Sequence, residues 1–263
     1  MLLAIDIGNT NIVLGLFDGL RLLAHWRIAT DPKTTADEYG ALCLNLISRN
    51  GRGPEHVTDA IMSSVVPALT GTFESMVETY FQCTPLIVSS DMDTGLILKY
   101  TIPKEIGSDR LVNAAAAYHK FRRDLIIVDF GTATTFCAVT QDGEYRGGAI
   151  APGLGISAEA LFTRAAKLSK VELSRPKTAI GIDTASSIQS GLVFGYAGLV
   201  DTLVRRIEEE LGRTAYVVAT GGLAPIIVPE TTSIQKIDPF LTLDGLTLLY
   251  HRARGLASDI MWT

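Results

Sequence analysis

The sequence predicts an α/β protein made of two copies of one mixed-sheet domain, each sheet flanked by helices, with a ligand cleft between the copies. Three observations predict it. The chain has 263 residues, 47% of them hydrophobic and only 19% charged, which is room for two ordinary cores. Short strand patterns alternate with helix patterns. A stretch near the N-terminus also returns past the middle: "IDIGNTNIVLGLFDG" laid on "VDFGTATTFCAVTQDG" sets Asp6 over Asp129, Gly8 over Gly131 and Asn11 over Thr134. One inserted residue then brings Asp18-Gly19 over Asp142-Gly143. A repeat of this length is a doubled domain, not a solenoid period.

In the first copy, β-rich runs at 2–7, 11–17 and 21–29, parted by turn residues such as Asp18-Gly19, predict a three-strand meander. A helix over 36–49 follows, then a strand at 58–64, a helix from Pro67 to 82 and a strand at 85–88. The helix predicted over 108–121 contains "LVNAAAAYHKF", which joins or braces the lobes, although plain helix propensity explains its alanines as well. The syntax then repeats, with strands at 124–129, 134–140 and 144–150 and helices at 155–167 and 184–211. A strand at 215–219, a turn at Gly221-Gly222, a strand at 234–237 and a helix at 242–256 complete it. Read linearly, the domains are 1–117 and 118–263.

Several functional classes are excluded. A net charge of -5, from 23 basic and 28 acidic side chains with no basic cluster, argues against nucleic acid as a partner. Cys43, Cys83 and Cys137 lie far apart with no CxxC, so neither a disulfide framework nor a zinc site is expected, and a reducing cytoplasm fits. Asp6 and Gly8 interrupt the apolar N-terminus, and no run of eighteen apolar residues follows, so no membrane span is expected. No G-x-x-x-x-G-K-[ST] occurs, which excludes a P-loop. "GLGISA" at 153–158 matches a dinucleotide pattern, but it follows a meander strand and Pro152 instead of opening a βαβ unit. The histidines, His25, His56, His119 and His251, fall in unrelated segments.

The chemistry resides in the hairpins. A tight turn of Gly, Asn and Thr turns several backbone N–H groups one way, and such donor clusters hold phosphate oxygens without a lysine. Asp6 would repel a phosphate unless a divalent cation lies between them. Asp129 repeats the arrangement, and on charge alone it would take a second such cation. A single hairpin of this type is usually structural; two aligned copies, each closing a buried strand, favour a nucleotide triphosphate. Gly221-Gly222 offers a side-chain-free strand end where adenine could stack, or else an ordinary turn. At Gly107-Ser108 a helix opens with Asp109 in its first turn. Asp109 is either a cap or, beside a substrate hydroxyl, a base. Arg110 and the helix N–H groups suit a small anionic acceptor.

"DIGNTN", "GSDR" at 107–110, "DFGTATT" at 129–135 and "GGAIAPGLGIS" at 147–157 together resemble the type III pantothenate kinases, within the actin-like ATPase superfamily of acetate and sugar kinases and heat-shock chaperones. The resemblance runs along essentially the whole chain. It implies two ribonuclease-H-like domains, an active site in the cleft between them, and ATP-dependent phosphorylation of pantothenate, the first step toward coenzyme A. It also implies a homodimer that needs Mg2+ and a monovalent cation, K+ or NH4+. Carried to matching positions, Asp6, Ile7, Gly8, Asn9, Thr10, Asn11, Ile12 and Val13 wrap the ATP phosphates, Asp6 meeting magnesium through phosphate or water, and Thr132 contacts ATP. Asp129 holds the monovalent cation, which replaces the second divalent ion expected from charge. Asp109 is the general base. Tyr100, Gly107, Ser108, Asp109, Arg110 and Thr184 hold pantothenate. Two other classes remain open on the sequence: an actin-like ATP-binding scaffold, and a regulatory protein without kinase turnover.

Overall fold

In the computed structural model, which describes residues 1–164 and 171–256, the N-terminal β-rich runs form Leu2–Ile7 (β1), Asn11–Asp18 (β2) and Arg21–Ala29 (β3). Helix Ala36–Ser48 (α1) follows a capping box in which Thr35 accepts from the Glu38 N–H and the Glu38 carboxylate accepts from the Thr35 N–H. Strand Asp59–Ser64 (β4) leads to helix Pro67–Phe81 (α2), whose proline stands where a missing N–H costs nothing. Two-residue strands Leu86–Ile87 (β5) and Ile97–Leu98 (β6) precede helix Ser108–Phe121 (α3).

The second meander is Leu125–Phe130 (β7), Ala133–Val139 (β8) and Glu144–Pro152 (β9). Helices Leu154–Arg164 (α4) and Thr184–Leu211 (α5), strand Tyr216–Thr220 (β10), helix Ala224–Ile227 (α6), strand Lys236–Ile237 (β11) and helix Leu241–Ala253 (α7) complete the order. The helix expected over 155–167 is described as far as Arg164; its last three positions lie outside the described residues.

The chain forms two compact units. The first takes Met1–Leu96, Thr101–Ala116 and the segment from Leu241 onward; the second takes Ile97–Tyr100 and Ala117–Phe240. The first unit holds a five-stranded sheet of order β3-β2-β1-β4-β5, with β1 antiparallel to β2 and parallel to β4. Leu3, Ile5 and Ile7 alternate with Ile12, Leu14 and Leu16 into one core with Tyr39 and Cys43 of α1 and Leu69 and Phe73 of α2. Each of the leucine, isoleucine and phenylalanine side chains among them contributes about 1.5–3 kcal/mol on burial. The second unit holds a six-stranded sheet of order β11-β10-β7-β8-β9-β6, and its own core joins Ile126, Val128 and Phe130 to Val193, Tyr196 and Val200 of α5.

A division at residue 117 groups α7 with the second copy, whereas packing groups it with the first unit. Gly245 of α7 approaches α3 so closely that a Cβ there would lie 2.5 Å from the Val112 carbonyl oxygen. Thr242 of α7 donates to Asn113 of α3 at 2.7 Å. A linear reading assigns a helix to its sequence neighbours, and only tertiary packing assigns this one elsewhere.

The duplication is visible strand by strand. β1 and β7 share one burial sequence, four buried residues, then a half-buried aspartate, then a buried residue. The antiparallel ladders slip at matching places, between Leu16 and Phe17 and between Ala138 and Val139. Register corrects one detail of the sequence alignment. Asp6 faces Val13 and Asp129 faces Thr135, so the first turn is one residue longer and Asn11 matches Ala133 rather than Thr134. The turn hydrogen bonds agree: the Gly8 N–H donates to Asn11 O and the Gly131 N–H to Ala133 O, both at 3.1 Å.

Candidate active site

In the first unit, Asp6 is the penultimate residue of β1, at the carboxyl end of the parallel pair β1 and β4, the edge where α/β sheets bind ligands. Its strand neighbours are Val13 on one side and Ser63 on the other. The Ser63 hydroxyl, fully buried, donates to Asp6 Oδ1 at 2.5 Å. Burial is the largest influence on the Asp6 carboxyl and pushes it from 3.8 up to about 6; the Ser63 bond works against that, Asp109 adds to it by like charge, and Arg27 opposes it. Arg27 faces Val13 across the β2–β3 ladder.

The turn after β1 is tightly tied. The Gly8 N–H closes it on Asn11 O, and the Thr30 hydroxyl donates to Gly8 O at 2.6 Å. The Gly8 N–H is therefore spent inside the turn and is not one of the outward donors expected there, while Asn9 and Thr10 are exposed at the tip. Ile7 and Ile12 are wholly buried in the core beneath. Any contact they make with a nucleotide runs through their backbone.

The "GSDR" segment starts α3 in the same unit. The Ser108 hydroxyl accepts from the Ser64 N–H and donates to Ser64 O, each at 3.1 Å, which fastens the start of α3 to the end of β4. Asp109 is half-buried, and its Oδ1 accepts the Arg110 N–H at 2.7 Å. One carboxylate oxygen thus caps the helix. Burial nevertheless raises the Asp109 carboxyl above its ordinary value, against the Arg110 N–H bond and the Arg110 charge. Arg110 is itself buried.

In the second unit, Asp129 takes the place on β7 that Asp6 takes on β1, opposite Thr220 of β10. Gly221 follows at φ +93°, and a Cβ there would lie 2.6 Å from Asp129 Oδ1. The missing side chain lets β10 turn tightly against Asp129. Thr132 is half-buried in the β7–β8 turn, and its carbonyl accepts the Gly153 N–H at 3.1 Å. Gly153 packs so close that a Cβ would meet that oxygen at 2.1 Å. The glycine of "GLGISA" thus serves the hairpin, and its preceding strand β9 is antiparallel to β8, unlike the setting of a dinucleotide fingerprint.

Two expected residues lie outside these turns. Tyr100, of the second unit, packs against Gly147 and pairs with the Tyr145 ring at 6.2 Å. Thr184 is exposed as the first residue of α5, behind the Asp183 cap. The sequence reading missed Ser63, Arg27 and Thr30. Its one available signal was the pair Ser63-Ser64 after the apolar middle of the strand, Ala60 to Met62.

Two repeated mixed sheets, each carrying an aspartate at the end of a central strand before a tight turn, define the α/β fold of the actin-like ATPases and sugar kinases. A hexokinase from Thermus thermophilus shares that fold, with a TM-score of 0.51 at 16% identity over 96% of this chain and 99% of that one. The family model described as type III pantothenate kinase matches residues 2–206. The chain is 53% identical to the type III pantothenate kinase of Syntrophus aciditrophicus over 252 residues, 96% of this chain and 99% of that protein. It is also 53% identical to the one from Pelobacter propionicus, over 97% of this chain and all of that protein. The protein belongs to the type III pantothenate kinase family.

Proposed function

We propose that this protein transfers the γ-phosphoryl group of ATP to the primary hydroxyl of pantothenate, giving 4'-phosphopantothenate and ADP, the first step of coenzyme A biosynthesis. Membership of the family over nearly the full chain carries the reading. The first unit's pair of carboxylates, Asp6 and Asp109, supports it, since each is held above its ordinary range. Phosphoryl transfer asks mainly for positioning and charge neutralisation. The turn from Asp6 to Val13 takes the ATP phosphates, and Thr132 contacts ATP. Asp109 orients the acceptor hydroxyl and accepts its proton as the oxygen–phosphorus bond forms and the bond to ADP breaks. A carboxyl raised by burial is the better base for that step. Tyr100, Gly107, Ser108, Arg110 and Thr184 hold pantothenate, the backbone-bonded Ser108 by shaping the site.

Among the described residues no set of three His, Cys, Asp or Glu could hold a metal ion by itself. A divalent cation would then be held mostly by phosphate oxygens with Asp6 adding one carboxylate, the usual habit of Mg2+. When bound it supplies neutralisation of the triphosphate charge. Asp129, one carboxylate beside the Gly221 turn, suits a hard monovalent cation, K+ or NH4+. We assign the enzyme to the cytoplasm as a homodimer; among the described residues no helix is long and apolar enough to cross a membrane, and Ile150, Ile180 and Ile182 stand exposed on the second unit as apolar surface. A coupled assay of ADP release tests the reading: release that requires pantothenate, and that falls when sodium replaces potassium or ammonium, is expected. ADP release indifferent to pantothenate would overturn it, and indifference to the cation swap would remove the role of Asp129.

A further inference from the structure

We propose that Ser63 is a positioning residue for Asp6, its hydroxyl holding Oδ1 so that Oδ2 is the oxygen that meets the metal-bound triphosphate. The inference rests on the pantothenate kinase reading and deepens it at one carboxylate. Ser63 lies beside Asp6 in the parallel β1–β4 ladder, so the two side chains share a face of the sheet. On the other side of Asp6 stands Val13, which has no polar side-chain atom to offer. A hydroxyl buried as fully as that of Ser63 is costly without a partner, and its partner is the carboxylate, at the short separation typical of a charge-assisted bond.

The support behind Ser63 is itself fixed. Ser64, the next residue, is held at both its N–H and its C=O by the Ser108 hydroxyl. Its own hydroxyl accepts from Thr70 of α2 at 3.0 Å. The end of β4 is thus bound to α2 and to the start of α3, which carries Asp109. A carboxylate on such a support keeps one orientation, and that is what a phosphate-bound cation requires of a single protein ligand. The second copy repeats the placement of residue types: Thr220 stands opposite Asp129 in the same parallel register as Ser63 opposite Asp6. A hydroxyl beside the acid is therefore present in both copies, and threonine fits this strand position.

The experiment measures steady-state kinetics of the full-length enzyme while varying Mg2+, ATP, pantothenate and pH. In Ser63→Ala, the Mg2+ concentration for half-maximal rate should rise roughly tenfold or more, as loss of a group orienting a metal ligand typically produces, with the KM for pantothenate within about twofold of wild type. The acid limb of kcat/KM for ATP should move to higher pH, because a bond to the ionised carboxylate favours ionisation and its loss disfavours it. Ser63→Thr should restore both. Should Ser63→Ala not fold, Ser63→Cys, similar in size but a weak donor, carries the same readouts. Wild-type Mg2+ dependence and acid limb in the Ala or Cys variant would overturn the proposal. So would equal losses in every parameter, pantothenate KM included, unrescued by threonine. A wild-type enzyme without pantothenate-dependent ADP release removes the kinase reading itself, and the assignment of Ser63 with it.

Discussion

Asp109 and Asp6 carry the predictions that belong to single side chains, one of function and one of stability. Asp109→Asn should lower kcat about 100-fold or more, the usual loss with a general base, while calorimetric titration shows ATP still bound; near-normal turnover would leave Asp109 only its bond to the Arg110 N–H. Asp6 makes a prediction about stability. Its folded value of about 6 lies above the ordinary 3.8. The contribution of Asp6 to native stability is therefore full below the lower figure and is lost as the pH rises through the higher one. The loss is about 1.4 kcal/mol for each pH unit between the two figures, a few kcal/mol in all. Asp6→Asn removes that loss. Scanning calorimetry of the ligand-free protein in chelator should show the variant melting above wild type at pH 7.5 and level with it near pH 4. A variant that melts lower at both would make Asp6 a structural residue. Asp6 stands out in the sequence because an acid ending a buried strand before a tight turn needs explaining, whereas an acid in a first helical turn does not, and Asp109 is singled out as a base only through the family resemblance. Ser63 does not stand out, because a pair of serines closing a strand is a weak signal when nothing shows which acid lies beside it.

At the scale of elements, the sequence marked the three N-terminal strands and α3 almost to the residue, since the β-rich runs there are six to nine residues long and bounded by turns, and the helix pattern runs for fourteen. β5, expected at 85–88, is present as Leu86–Ile87, whereas the two-residue β6 is too short for any period to show and is a strand only because it pairs with β9. The slip of one position between Asn11 and Thr134 has a similar origin: turn length is set by hydrogen bonds that lettering does not display. The β10 turn makes the prediction at this scale. Gly221→Ala would place a methyl against Asp129 and the Phe130 backbone in a left-handed conformation, and should destabilise by about 2 kcal/mol or more in urea unfolding. An unchanged midpoint would mean that β10 can withdraw from Asp129 at no cost.

For the whole molecule, the discontinuous first unit is the decisive fact. The leucines at 241, 243, 246, 248 and 249 are buried, and α7 belongs with the sheet made by the first third of the chain. A chain ending at residue 240 should therefore lose the cooperative melting of the first unit, while the second, with its own core, keeps protease-resistant fragments from 117 onward. Native-like resistance of the N-terminal sheet in that truncation would refute the dependence. The same arrangement bears on how the protein is made. Translation delivers β1 to β5 well before α7, so the first unit's sheet waits, with one apolar side bare, through about one hundred and fifty further residues of synthesis. The second unit can finish folding before the first, although most of the first is synthesised ahead of it.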